Sequence, residues 1–123
     1  MKISLYILIV YISKAYALEC KIANPNEWFW IDSIHINESN GEITLTESES
    51  QGKHVYKTRL VDFSDDRYTF NLEPQEGSGV TNMFLLFKSF DEWRLISTGV
   101  EEKKGVTVLR AIDESKKYNC FKK

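Results

Sequence analysis

An all-β fold follows from three features of the sequence. Short stretches alternate apolar and polar residues, turn-forming residues separate them about every 10 to 15 positions, and no apolar stripe of period 3.6 runs long enough for a helix. The expected architecture is an antiparallel meander of about seven strands, forming a small barrel or a two-sheet sandwich closed by one terminal disulfide.

The first 17 of the 123 residues have the layout of a secretory signal peptide: Lys2 as the positive start, an apolar run over residues 3–12, and Ala15, Tyr16 and Ala17 as the small-x-small cleavage site. The mature chain is expected to begin at Leu18 and to form one all-β domain over residues 18–123. The apolar run is about half of the roughly 20 residues that span a bilayer. No later stretch is long and apolar enough to be a membrane span. The formal charge of −2 becomes −4 once Lys2 and Lys14 are removed. With the remaining basic residues dispersed, nucleic acid and anionic membranes are poor partners. Cys20 and Cys120 stand near the two ends of the mature chain, and in an oxidising compartment they are expected to pair and close a loop of about 100 residues.

In chain order, Ala23, Asn24, Pro25 and Asn26 form a turn-rich entry, and residues 27–37 carry the first strand pattern. Trp28, Trp30, Ile34 and Ile36 share one face there, with Phe29, Ile31, Ser33 and His35 on the other. Asn40-Gly41 suits a type I′ hairpin, since both residues tolerate positive φ. Residues 42–49 alternate Ile43 and Leu45 against Thr44 and Thr46, and end in the polar run 48–52. Residues 54–63 form the third strand. Tyr68, Phe70 and Leu72 against Arg67, Thr69 and Asn71 is the cleanest alternation, and argues for one buried and one wet face. Residues 74–79 contain two glycines and read as a connection. Residues 82–98 then form the densest apolar patch of the mature chain, a hairpin interrupted by Asp91 and Glu92. A charged turn over 101–105 leads to a last strand ending near Asp113, and residues 101–104 or 113–118 have room for a single helical turn.

The sequence offers little for catalysis. His35 and His54 stand on different expected strands with no metal-ligand spacing to each other or to Asp32, so no metal site is expected. A bridged Cys20 is no nucleophile, and neither a Gly-x-Ser-x-Gly motif nor a phosphate-cradling glycine loop occurs. Asp65-Asp66 and Glu101-Glu102 lie in expected turns, where solvated charge is the usual explanation. No enzyme and no cofactor are expected. Asn37, Glu38 and Ser39 form an N-glycosylation acceptor next to a turn.

The aromatic set remains. Trp28, Trp30, Phe84, Phe90 and Trp93, with Leu86, are the candidate binding residues. A strand apolar on both faces needs cover on both, and Phe84, Leu86 and Phe90 are expected to be the side the core leaves open. Asn26, Glu27 and Trp28 near the first strand, with Arg110 in the last, resemble the calycin group, the lipocalins and their relatives, in which an arginine of the last strand lies over a tryptophan of the first. That resemblance implies a barrel carrying a small apolar ligand. The function expected first is a secreted, non-enzymatic binding protein or effector with a protein partner on an exposed sheet face. The apolar-ligand carrier is the alternative.

Overall fold

The computed structural model describes residues 17–24, 26, 29–74, 79–112 and 114–122, and for residues 110–112 the backbone alone. Within these residues the chain forms nine antiparallel strands: β1 (Ala17–Ile22), β2 (Ile31–Asn37), β3 (Glu42–Glu47), β4 (Val55–Ser64), β5 (Arg67–Leu72), β6 (Val80–Ser89), β7 (Glu92–Lys103), β8 (Val106–Ile112) and β9 (Lys116–Lys122). The described residues hold one 3₁₀ turn, Glu49–Gln51, and no helix long and apolar enough to cross a membrane.

Eight of these strands close into a barrel. β1 to β7 pair in sequence order, β9 joins β7 to β1, and β8 is an extra strand on the remaining length of β7. The same edge of β7 carries β9 against Trp93 to Leu95 and β8 against Thr98 to Lys103. β8 and β9 therefore lie end to end, and together they act as one interrupted last strand. Closure at β1–β9 excludes a two-sheet sandwich, because a sheet rolled onto itself has no second sheet to face.

The alternation dictates the inside. Tyr68, Phe70 and Leu72 of β5 point into the barrel, and so do Ile34 and Ile36 of β2 and Leu95 of β7. Ile31 is also buried, although parity with Ile34 would place it outside; a bulge between Ile31 and Ser33 shifts the register and turns it inward. Phe70 stacks on Phe84 with ring centroids 5.1 Å apart, and Tyr68 lies 5.9 Å from Trp93. Burying a side chain of this size stabilises the fold by roughly 1.5 to 3 kcal/mol.

Side chains close both ends. At one end, Trp30 packs between Phe84 at 5.9 Å and Tyr56 at 6.3 Å, and the Tyr118 hydroxyl donates to the carbonyl of Ile31. At the other, the Tyr68 hydroxyl donates to the Glu38 carboxylate, and Lys122 Nζ lies 3.7 Å from the same group. The Cys20–Cys120 disulfide crosses the β1–β9 seam between directly opposed residues.

Three expectations are corrected. The strand expected over residues 27–37 is β2 and starts at Ile31, and Phe29 and Trp30 belong to the segment that covers the barrel end. The β2–β3 hairpin is a four-residue loop: Asn37 opposes Glu42, the Gly41 N–H donates to the Asn37 carbonyl, and Gly41 alone of the Asn40-Gly41 pair has positive φ. Two-residue turns with both φ values positive occur instead at Phe90-Asp91 and Lys104-Gly105. Residues 101–103 and 116–118 are strand, so neither supplies a helical turn.

Candidate binding surface

The β6–β7 hairpin has two faces with different fates. Phe84 is 3 % exposed and Leu86 is 0 % exposed, which contradicts their expected place on an open face. Phe84 opposes Ser97 and Leu86 opposes Leu95, so each shares the inward face with a buried partner. The open parity is Met83, Leu85 and Phe87. On β7 the outward residues are Arg94, Ile96 and Thr98. Trp93 is buried against Tyr68, and Trp30 is half-buried at the barrel end. Trp28 lies outside the described residues, and the Arg110 side chain does too.

Of the six candidate residues, Phe90 keeps the expected exposure. It is 99 % exposed at the hairpin tip with φ +50°. A bulky aromatic in the left-handed region is strained by its Cβ, and its apolar ring gains nothing from water. Neither burial nor backbone preference explains a phenylalanine there, which makes it a candidate anchor for something outside the chain.

Val61, Met83, Leu85 and Ile96 line an outward groove of about 360 Å³, with Thr69 and Thr98 at its sides. Val61 and Met83 are 66 % and 44 % exposed. Leu85 opposes Ile96 and Met83 opposes Thr98, so the apolar strip crosses β6 and β7 along cross-strand pairs. Val61 is added by a bulge between Leu60 and Asp62 that re-aims β4. These residues were legible only as the parity opposite to the one chosen from the sequence.

A separate polar cluster sits where β3 meets β4. The Glu47 carboxylate accepts from Tyr56 Oη at 2.8 Å and from the His54 backbone N–H at 3.2 Å, with His54 Nδ1 at 2.8 Å. Burial alone would push the Glu47 carboxyl up, but these hydrogen bonds and the nearby imidazole hold it below the ordinary carboxylate value. The arrangement fixes the imidazole against a carboxylate. The open polar groove beside it holds Asp32, Ser48, Ser50 and Lys53, and no hydrogen bond links either serine to His54. His35 pairs with Glu19 at 3.3 Å on the outer wall, away from His54. Among the described residues no three His, Cys, Asp or Glu side chains converge as metal ligands.

At the acceptor tripeptide, Asn37 Oδ1 receives hydrogen bonds from the Ser39 N–H at 3.1 Å and the Ser39 hydroxyl at 2.6 Å. Ser39 is exposed and Asn37 is partly so.

The chain matches no family model, no curated protein and no solved structure. The resemblance to calycins rests on Trp28 and Arg110, whose side chains lie outside the described residues.

Proposed function

We propose that this chain is a secreted, non-enzymatic binding protein that takes a protein partner on the outer wall of the β6–β7 hairpin. The observation that carries the reading is the groove of Val61, Met83, Leu85 and Ile96, an apolar strip on the wet side of a barrel whose described interior is already occupied by its own rings. Phe90 extends the same hairpin and supplies an aromatic anchor of the kind that dominates protein interfaces. The disulfide is compatible with an extracellular location. The signal-peptide pattern and the acceptor at Asn37 support secretion and glycosylation.

The test uses the mature protein, immobilised and exposed to extracellular medium of the producing cells. Met83→Glu and Phe90→Ser should keep the far-UV spectrum and thermal transition and lose a partner retained by the wild type. Retention of that partner by both variants would remove the hairpin from the interface. In parallel, fatty acids, sterols and an apolar dye are titrated while tryptophan fluorescence is followed. Saturable quenching at one equivalent would favour a small-ligand carrier over the protein-binding reading.

A further inference from the structure

β8 is the one described strand that pairs along a single edge. Every other strand has a neighbour on both sides, so this edge is the open end of an otherwise closed sheet. The turn fixes which groups it presents. Lys104-Gly105 is a two-residue turn with φ +50° and +78°, which makes the flanking pair Lys103–Val106 a hydrogen-bonded pair. Hydrogen-bonded and non-bonded pairs alternate, so Val108 bonds back to Glu101 while Thr107 and Leu109 direct their N–H and C=O groups away from β7. The bulge opposite Gly99 and Val100 begins beyond Leu109, leaving residues 106–109 regular.

The side chains do not blunt this edge. β8 reads Val-Thr-Val-Leu-Arg-Ala-Ile, with high strand propensity, no proline, no acid and one charge. Val106 and Leu109 are 61 % and 55 % exposed. Lys104 precedes the strand and Glu114 follows it, both exposed. An antiparallel alignment of two such strands about Val108 sets the outward-bonding Thr107 of each against the outward-bonding Leu109 of the other, and brings the basic end of each toward the acidic end of the other. A parallel alignment would set lysine beside lysine and acid beside acid. The charge pattern therefore selects an antiparallel copy of itself.

We propose that β8 is a self-association edge, through which two copies of this chain join antiparallel about a two-fold axis into one continuous β7–β8–β8–β7 sheet. Such an isologous contact closes on itself and stops at two copies. It uses the strand edge and not the outer-wall groove, so it stands or falls separately from the protein-partner reading. The paired strands are short, and association is expected to be weak.

Sedimentation equilibrium of the mature protein between about 1 μM and about 1 mM reads it directly. The wild type should move from the mass of one chain toward two, and Thr107→Pro should remain at one. Proline at this position removes an N–H that faces away from β7, so the β7–β8 ladder keeps its hydrogen bonds. A wild type that stays at one chain throughout overturns the proposal, whatever else the edge accepts. So does a Thr107→Pro variant that doubles like the wild type. If that variant fails to fold, the wild type decides: the Thr107 and Leu109 amides should exchange more slowly at the higher concentration, and unchanged exchange overturns the proposal.

Discussion

Phe84 and Phe90 belong to one hairpin, yet the first is clamped between Phe70 and Trp30 and the second stands in solvent. Truncating Phe84 to alanine should cost about 3 to 5 kcal/mol in urea unfolding, because the cavity it leaves is ringed by packed aromatics. Phe90→Asn should do the opposite and raise stability by roughly 0.5 to 1 kcal/mol, since asparagine accepts the left-handed backbone more readily than phenylalanine. A loss of stability in Phe90→Asn would show that the ring is packed. At Glu47 the carboxyl is held below its ordinary value of 4.5 in the folded state. A group so lowered contributes stability above the unfolded value, and that contribution is lost as pH falls through the folded value. Glu47→Gln should therefore flatten the acid side of the stability curve below about pH 4.5 while leaving its slope near neutrality unchanged. An acid limb identical to the wild type would mean that Glu47 is not held below its ordinary value.

The inside and outside of β6 were recoverable from the sequence. Arg94 marks the wet parity of β7, and a turn at Phe90-Asp91 pairs Arg94 with Phe87, Leu95 with Leu86 and Ser97 with Phe84. Density of apolar residues hid this, because both parities of 83–87 are apolar and only the partner strand distinguishes them.

At the scale of the elements, the meander from β2 to β8 was legible because turn-forming residues separate its strands and several of them, β5 above all, carry their own alternation. The two strands that close the barrel were not. β1 is a short run that begins at Ala17, the last residue of the expected signal peptide, and β9 is rich in lysine, so its inward pair Tyr118 and Cys120 reads as isolated residues. They are also the strands whose partners lie farthest away in the sequence. Alternation inside a strand is local information, whereas pairing across the seam is not. The disulfide holds this seam, so Cys20→Ala with Cys120→Ala should lower stability by on the order of 4 to 5 kcal/mol, read from urea midpoints with the slope held. A loss below about 1 kcal/mol would mean that strand pairing alone carries the closure.

For the whole molecule, β-barrel closure and the aromatic interior are a single fact. Eight strands enclose a space just wide enough for side chains, and here Tyr68, Phe70, Phe84 and Trp93 take it up. The β1–β9 seam also orders events in time. Ribosomes release β1 before the other described strands, yet its neighbour on one side is β9, made 100 residues later at the cysteine pair. Until then β1 and β7 each present a bare edge. The nascent chain can build its hairpins one by one, but it cannot become a barrel before β9 has been made.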